Sequence, residues 1–543
     1  MKKTHSLVLL IFLCFSILSF SSLKDQPNKI VTADSNPAYS FAVDSKQLEA
    51  NNIRTWFRTN GSINRDPVTG NSGFEWPKGQ SKFARFASGL WLGGVVGVDT
   101  LIALAEYDYE FLPGYIDGNG NPQGSNDPNY RIYNFTDEDS SDFGAWRNIA
   151  SQQGAYLDSL GNPNRMGSQT MFYCYTDGYP QAHINNAGST APLKAQILQT
   201  NWAYKNLNLR DAAFTEYRII NRSNQVWNNF YISIWTDDDL GTATDDAVGI
   251  DTLAEYYLGY TYNFTDNDTE YGAAPPAVGF TMLRGPVVPS IGDTVKYYSP
   301  PGSQNLIVKP NMKELKLSSF NTYINGDPTT GDPLNYKETY NNLQGLKRSG
   351  APWINPLTNE VTKFPYSGAP EIQTGWIMSS GSDRRFLMTM GPINMAPGDT
   401  QSVICAQVIA RGTSNLNSIT RLRQLAHQVH GIYNNNFQSV LNVNNYSAVI
   451  PEKFTLHQNY PNPFNPSTKI RFDVPNNSNG KLTDVKLTVY NSLGNEVKIL
   501  VNEKMNSGSY ETEFRSENLS SGVYFYKLET EGFVQTKRMV FLK

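Results

Sequence analysis

Apolar and polar residues alternate in short runs along most of the chain from about Asn51 onward. Alternation with a period of two is the pattern of half-buried strands, and the Gly, Pro, Asn and Asp residues between the runs indicate turns. The pattern therefore predicts a mainly β fold whose main region is of the β-sandwich type. Strands are predicted at residues 88–98, 100–111, 170–175, 194–203, 213–221, 229–236, 256–262, 279–283, 385–390 and 400–410.

One segment near the end of this region repeats with the period of a helix instead. Thr413 and Ser414 precede it and are candidate N-caps. Residues three and four positions apart share one helix face, and an apolar stripe on that face packs against a sheet. The pattern predicts one helix over residues 416–437, packed on the last sheet of the main region. Its stripe consists of Leu416, Ile419, Leu422, Leu425, Ala426, Val429 and Tyr433.

The pattern changes at Pro451. Residues 451–466 read PEKFTLHQNYPNPFNP, with four prolines among aromatic and Asn residues. Proline fixes φ and has no backbone donor, so we expect this segment to be extended and irregular. Alternating runs then follow closely, and so many short strands in so few residues predict a separate, immunoglobulin-like β-sandwich. These runs are residues 468–474, 485–490, 496–501, 509–514, 522–530 and 533–542.

The motifs of this tail resemble a known family. The segments FTLHQNYPNPFNPSTKIRFDVP, VYNSLGNEV and LSSGVYFYKLETEGFVQTKRMVFLK are similar to the C-terminal sorting domain of type IX secretion cargo in the Bacteroidetes and their relatives. The resemblance covers residues 451–543. It implies that the outer-membrane type IX machinery recognises this domain, so the protein is expected at the cell surface or outside the cell.

The main region also resembles the N-terminal regions of such cargo proteins, whose role is unknown. The similarity lies in three segments, NNFYISIWTDDDLGTATDDAVGID, LGYTYN and MGPINMAPGDTQ. It implies no known activity.

The start of the chain has the pattern of an export signal. Lys2 and Lys3 are followed by an apolar run at residues 7–20, and the small residues at 19, 21 and 22 offer a cleavage site. The run is too short for a comfortable membrane span, and no later stretch is long and apolar enough, so we expect no span in the mature chain. The predicted organisation is a signal peptide (1–22), a polar lead (23–45), a β-rich main region of one or two sub-domains (46–441), a linker (442–450) and the sorting domain (451–543).

Composition and short motifs argue against several functions. The net charge is −4 and only 17% of the residues are charged, which leaves no basic stripe for a phosphate backbone, so nucleic acid is not an expected partner. The sequence contains no GxSxG, HExxH or GxxxxGK[ST] motif. Cys174 and Cys405 are expected to be free and buried. His427 and His430 share a helix face, where we expect polar-face residues rather than zinc ligands.

The densest group of acids follows the strand predicted at residues 229–236. Neighbouring carboxylates repel one another unless something neutralises them. Calcium does so with oxygen ligands from a flexible, Gly-containing loop, although the spacing here departs from that of an EF-hand. A solvated acidic turn is the alternative. The predicted calcium ligands are Asp237, Asp239, Asp245, Asp246 and Asp251.

A weaker calcium candidate lies in the segment DGNGNPQG, where Asp117, Asn119 and Asn121 alternate as oxygen donors. A turn rich in Asn and Gly has the same sequence without any metal.

Two functions remain open for the main region. The favoured one is a non-catalytic binding or structural module stabilised by calcium, and the other is a secreted hydrolase acting on polysaccharide or protein. A glycosidase needs two carboxylates across a cleft, which Asp237 or Asp239 could form with Glu216 or Glu255. Nine tryptophans and many tyrosines make an extracellular glycan a candidate partner, although aromatics in strands usually pack in the core.

Overall fold

The computed structural model describes residues 43–437 except 108, 207, 254 and 255, and then residues 443–447, 451–475, 483–505, 507–516 and 519–543. The predicted signal peptide and all but the last residues of the polar lead lie outside this range. Within it, none of the helices combines the length and the apolar character needed to cross a membrane.

The strands of the main region are short at first and longer towards its end. The first twelve are β1 (Ser45–Leu48), β2 (Thr55–Arg58), β3 (Phe74–Glu75), β4 (Phe83–Arg85), β5 (Ala87–Val96), β6 (Asp99–Leu104), β7 (Leu112–Pro113), β8 (Tyr115–Ile116), β9 (Pro122–Gln123), β10 (Tyr133–Thr136), β11 (Gln169–Thr176) and β12 (Ala195–Ala203). The next are β13 (Ala212–Asn221), β14 (Trp227–Asp237), β15 (Asp246–Asp251), β16 (Tyr257–Asn263), β17 (Asn267–Asp268), β18 (Gly272–Ala273), β19 (Ala277–Arg284), β20 (Val287–Tyr298), β21 (Leu306–Glu314), β22 (Leu317–Ile324), β23 (Trp353–Ile354), β24 (Val361–Thr362), β25 (Arg384–Met395) and β26 (Thr400–Ala410).

The rest of the described chain contains fewer elements. The α-helices are α1 (Phe143–Ala145), α2 (Tyr336–Leu343) and α3 (Asn415–Asn434). The strands of the tail are β27 (Val443–Ser447), β28 (Thr455–Leu456), β29 (Ser467–Val474), β30 (Thr483–Asn491), β31 (Glu496–Met505), β32 (Gly508–Arg515), β33 (Gly522–Thr530) and β34 (Phe533–Phe541).

Two large antiparallel sheets form the main region. The nine-stranded sheet has the order β10-β11-β12-β13-β26-β19-β16-β15, with β7 paired to β11, and the five-stranded sheet has the order β22-β25-β14-β5-β6. One apolar core takes residues from both sheets, for example Phe214 and Ile197 from the larger and Ile232 and Met388 from the smaller. The mainly β, sandwich-type prediction is confirmed. The strand predicted at residues 100–111 ends earlier, at Leu104.

The side chains of β14 alternate between two cores. Phe230, Ile232 and Ile234 belong to the core shared by the two sheets. Tyr231 and Trp235 point to the opposite face, where a smaller core includes Leu343 of α2. Since successive side chains of a strand point to opposite faces, the five-stranded sheet is covered on both sides.

The helix predicted at the end of the main region is present as α3. Ser414 is its N-cap, and the Ser414 hydroxyl accepts a hydrogen bond from the Asn417 amide at 3.0 Å. Its buried face, which includes Ile419, Leu422 and Val429, contacts β16, β19 and β26 of the nine-stranded sheet.

A long hairpin of β20 and β21 forms a separate two-stranded sheet, and neither strand pairs with any other described strand. The sequence pattern did not predict it, because most of its residues are exposed or half-buried on both faces. The turn of the hairpin is tied to the residues that follow α3. The Gly302 amide donates to the Asn436 side-chain oxygen at 2.7 Å, and the Asn436 amide group donates to the Ser303 carbonyl at 2.7 Å.

The tail consists of two four-stranded sheets, β27-β32-β29-β28 and β31-β30-β33-β34. Both contribute to one apolar core that is made only of tail residues, such as Phe472, Leu487 and Tyr526. Every strand pairing of the described tail joins two tail strands. All six predicted strands are present, and the predicted linker contributes β27. The immunoglobulin-like topology and the domain boundaries remain predictions.

The proline-rich segment is fastened to the tail core by aromatic residues. The Tyr526 hydroxyl donates to the His457 carbonyl at 2.9 Å and accepts from the Asn459 amide at 2.8 Å. Phe464 is buried and packs against Phe514 and Phe541. This segment is therefore part of the folded tail.

Candidate functional site

Three carboxylates meet where β14 ends and β25 begins. Asp237 is the last residue of β14, Asp239 lies in the turn that follows, and Asp383 directly precedes β25. One oxygen from each lies within 4.8 Å of the other two, the only such acidic group of three in the described chain. The register explains the meeting, because Asp237 lies opposite Arg385 in the antiparallel pair.

Arg385 and Tyr107 are the main partners of this group. Arg385 donates to Asp383 Oδ1 at 2.6 Å, to Asp237 Oδ2 at 3.0 Å and to the Tyr107 hydroxyl at 2.8 Å, and that hydroxyl donates to Asp237 Oδ2. Asp237 Oδ1 is buried and has no hydrogen-bond partner among the described residues. Burial raises the pKa of Asp237, and the positive charge of Arg385 opposes that shift.

The approach of Asp383 depends on a close backbone contact. The Ser382 amide donates to the Asp246 carbonyl at 2.8 Å, and a Cβ on Gly381 would lie only 2.4 Å from the backbone of Asp245. Glycine therefore allows this segment to lie against the start of β15. The sequence pattern did not indicate Asp383 and Arg385 as site residues, and their only signal was SDRR, an acid beside two arginines before an apolar strand.

The other three predicted ligands have partners of their own. Asp245 accepts from the Asn263 amide group at 2.7 Å and from the Thr265 hydroxyl at 2.6 Å. Asp251 pairs with Arg423 at 3.0 Å.

Asp246 is completely buried in β15 and accepts from the Leu240 amide at 3.2 Å. Burial, with the nearby charge of Asp239, raises the pKa of Asp246. The structure thus brings together two of the five predicted residues, Asp237 and Asp239, and the second half of the predicted loop is a buried strand.

Asp238, which lies between Asp237 and Asp239 in the sequence, points into the core. Asp238 lies 3.1 Å from Nε of Arg85, and both side chains are fully buried. Thr236 and Thr261 donate to its two oxygens at 2.7 and 2.8 Å, and the Arg85 guanidinium lies 4.1 Å from the ring centre of Phe280. Burial lowers the pKa of Arg85 to about 10, and Asp238 opposes that shift. Through Thr236 of β14 and Thr261 of β16, Asp238 joins the five-stranded sheet to the nine-stranded sheet in the interior.

At the weaker calcium candidate the Asp117 side chain faces its own turn. Its Oδ1 accepts from the backbone amides of Asn119 and Asn121, both at 2.9 Å. These hydrogen bonds, that of Asn121 first, lower the pKa of Asp117. The contacts are those of an Asx turn between β8 and β9, which favours the turn alternative.

The carboxylates considered for hydrolysis belong to different sheets. Glu216 is fully buried on β13 of the nine-stranded sheet, whereas Asp237 ends β14 of the other sheet. Glu216 accepts from Arg284 at 2.7 Å and from the Ser402 hydroxyl at 2.6 Å. Glu255 lies outside the described residues.

The histidines of α3 differ in burial. His427 is half-buried, but His430 is buried, with its Nε2 2.9 Å from the Thr281 hydroxyl. Burial lowers the pKa of His430 to about 4. The polar-face expectation is wrong for His430, because its side of the helix packs on β19.

Cysteines and tryptophans mostly belong to the interior. Cys174 and Cys405 are free and buried, as predicted. The tryptophans form no exposed face, because seven are buried and Trp56 and Trp376 are half-buried. The seven are Trp76, Trp91, Trp146, Trp202, Trp227, Trp235 and Trp353.

A buried cluster around His183 was not predicted from the sequence. Its ring nitrogens each lie 3.6 Å from a carboxylate oxygen, Nδ1 from Glu110 and Nε2 from Asp177, and Nε2 donates to the Asp177 carbonyl at 2.8 Å. Burial raises the pKa of Glu110 to about 8 and that of Asp177 to about 7, and it lowers the pKa of His183. The Ser189 amide donates to Glu110 at 2.9 Å, so the cluster holds a loop in place.

Residues 458–542 match the family model of the secretion system C-terminal sorting domain. The matched range lies within the two-sheet tail described above.

Among solved structures, a polysaccharide lyase is similar to this chain with a TM-score of 0.27 and 9% sequence identity. The match covers 91% of this chain and 47% of the lyase, so the chain spans about half the length of that protein. A similarity this low carries no argument about fold or activity. No curated protein matches the chain.

Proposed function

We propose that this protein, a type IX secretion cargo that its sorting domain directs to the cell surface or the extracellular space, uses its main region as a non-catalytic binding module. The observation that carries the proposal is the pairing of four interior carboxylates with arginines. Asp238 pairs with Arg85, Glu216 with Arg284, Asp237 with Arg385 and Asp251 with Arg423.

These pairs suit a structural role better than a catalytic one. A glycosidase needs one carboxyl group that donates a proton and a second that attacks the sugar or activates water, both facing the substrate. Here Glu216 and Asp237 are almost completely buried and each is hydrogen-bonded to a guanidinium. A buried carboxylate held by an arginine joins strands together, and removing either partner is costly. The main region is thus a two-sheet body with interior ion pairs, an architecture suited to presenting a binding surface.

The proposal is tested by activity and binding measured on the same full-length protein. We expect no turnover in a broad screen of glycoside and peptide substrates, and specific retention of one glycan class on an array. Turnover that disappears in Glu216→Gln or Asp237→Asn, with folding intact, would instead support the hydrolase alternative.

Calcium at Asp237, Asp239 and Asp383 is a further part of the proposal. Arg385 balances only part of the charge of this group, and the buried Asp237 Oδ1 has no protein partner in the described chain. Carboxylate oxygens are the ligands that calcium prefers.

If calcium binds the folded state, its removal lowers the melting temperature. We expect excess chelator to lower it by several degrees, Asp239→Asn to abolish that response, and Asp117→Asn to leave it unchanged. An unchanged melting temperature in excess chelator would contradict the proposed calcium site.

A further inference from the structure

A cleft of about 310 Å³ lies between the hairpin β20–β21 and the C-terminal end of α3. The hairpin contributes Lys296, Tyr297 and Tyr298 to its lining, and α3 contributes His430 and Tyr433. The turn of the hairpin is fastened to Asn436 beyond the helix, as described above, so both walls are held. The volume is at the lower end of the roughly 300–1000 Å³ typical of small-molecule sites.

An incompletely paired arginine lines this cleft. Arg284 is only 2% exposed; its Nη2 donates to Glu216 at 2.7 Å and to the Ser402 hydroxyl. Its guanidinium lies 4.4 Å from the ring centre of Tyr297. Nη1 of the same group is buried and has no hydrogen-bond partner in the described part of the chain. Since buried donors are almost always paired, Nη1 calls for an acceptor from within the cleft.

The charge of the lining favours an anion. Arg284, Lys296 and Lys316 line the cleft, and Glu314 is the one acid in its lining. Glu216 lies outside the lining but balances the charge of Arg284, so Lys296 supplies the surplus positive charge. Glu314 is already engaged, because it accepts from the Gly285 amide at 3.1 Å and from Lys316 at 3.2 Å. Burial lowers the pKa of His430 to about 4, so this histidine is neutral at pH 7 and adds no charge.

Four half-buried tyrosines supply the rest of the recognition surface: Tyr257, Tyr297, Tyr298 and Tyr433. A tyrosine offers an apolar ring face and a hydroxyl that donates and accepts hydrogen bonds. Burial raises the pKa of Tyr433 to about 12, so its hydroxyl stays protonated beside Arg284. This combination suits a ring that has apolar C–H faces and many hydroxyl groups.

We propose that this cleft binds an acidic sugar unit, a polyhydroxylated ring bearing a carboxylate, with the carboxylate on Arg284 and Lys316 and the ring against the tyrosines. The inference deepens the proposed function and rests on the main region being a binding module. Nη1 of Arg284 and the ammonium group of Lys316 each offer a charged donor to one oxygen of the carboxylate. The tyrosines favour a sugar over a bare inorganic anion.

The test uses calorimetric titration of the full-length protein with four probes: an oligogalacturonate, a neutral galactose oligomer of the same length, inorganic phosphate and free galacturonic acid. We expect the acidic oligomer to bind at least about tenfold more tightly than the neutral one, and phosphate to bind more weakly still. Free galacturonic acid distinguishes an internal unit of a polymer from a free monosaccharide as the bound form.

Matched variants assign the binding to the cleft. Lys316→Gln should weaken oligogalacturonate binding about fivefold, whereas Lys313→Gln, an exposed lysine on β21 outside the lining, should have no effect. The double variant Arg284→Met with Glu216→Gln avoids an unpaired buried charge and should weaken binding at least about thirtyfold. The melting curve of the double variant reports whether this variant folds. If it does not fold, the effect of Lys316→Gln alone shows whether the sugar binds in the cleft.

Four outcomes would overturn the proposal. Equal binding of the acidic and neutral oligomers would show that the site does not recognise the carboxylate. Binding of phosphate alone would indicate a simple anion site, and acidic-sugar binding that Lys316→Gln leaves unchanged would place the site elsewhere. If no probe binds while an array detects another ligand, the cleft proposal fails and the binding module stands, whereas substrate turnover would refute the module itself.

Discussion

The main region and the tail are both built from two antiparallel sheets, but they are held together differently. The tail has an apolar core, and the lysine and arginine partners of its Glu511 ion pairs are 61% and 42% exposed. The main region adds arginine–carboxylate pairs inside its core, of which Arg85–Asp238 is fully buried on both sides. An exposed ion pair contributes little to stability, whereas breaking a buried pair is costly. Ion pairs therefore contribute more to the stability of the main region than to that of the tail.

The two regions also differ in how far apart in the sequence some of their paired strands lie. In the tail, β33 and β34 form a tight hairpin, and β30 and β31 form another. In the main region, β26 lies between β13 and β19, which are distant from it in the chain. Arginines and acids that are remote in sequence therefore meet inside the main region.

The largest effect is expected for the interior pair. Asp238→Asn leaves Arg85 charged and unpaired in the core, so the free energy of unfolding of the main region should fall by about 3–5 kcal/mol. The matched change in the tail, Glu511→Gln, removes two ion pairs whose partners are exposed and should cost about 1 kcal/mol or less. Denaturant unfolding of both variants measures the difference.

A double variant separates charge from packing at this position. Arg85→Met combined with Asp238→Leu replaces the pair by apolar side chains and should recover most of the lost stability. Equal costs for Asp238→Asn and Glu511→Gln would contradict the distinction between the two regions.

The next effect is a dependence on pH that arises in the main region. The folded-state pKa of Glu110, about 8, lies above its ordinary value of 4.5. The stability that protonated Glu110 contributes is therefore complete below pH 4.5 and is lost as the pH rises through about 8, at up to about 1.4 kcal/mol per pH unit. Glu110→Gln should remove this loss, so its stability relative to the native protein should rise across that window. Thermal melts from pH 4.5 to 9 measure it, and parallel curves for the two proteins would count against the assignment.

The smallest effect concerns the proline-rich segment of the tail. Tyr526→Phe removes the hydroxyl that bonds both His457 and Asn459, so the tail should lose about 1–2 kcal/mol of stability. Tyr490→Phe, on a tail tyrosine that is only half-buried, is the control and should change little. Hydrogen exchange at the amide of Asn459 should increase only in Tyr526→Phe, and unchanged exchange would mean that the segment is fastened by other contacts.

The difference between the regions also sets what the sequence could reveal. In β29, TKIRFDV alternates between buried and more exposed positions. The strand and its buried face could therefore be predicted from the sequence. In β15, every residue of DAVGID is buried, and the acids at its two ends suggested a loop although the apolar middle belongs to a strand. The partners of Asp237 could not be predicted, because Arg385 and Asp383 reach it only through the pairing of β14 with β25. His183 gave no signal, since its two carboxylates come from separate segments.

The separation of tasks between the two regions is tested most directly by where the protein goes when the tail is removed. A chain that lacks residues 443–543, which include β27 as well as the matched sorting domain, is expressed in its native host and quantified in the periplasm and outside the cell. The account predicts that the main region folds and accumulates in the periplasm, while the full-length chain reaches the surface or the medium. Export of the shortened chain at the normal level would contradict it.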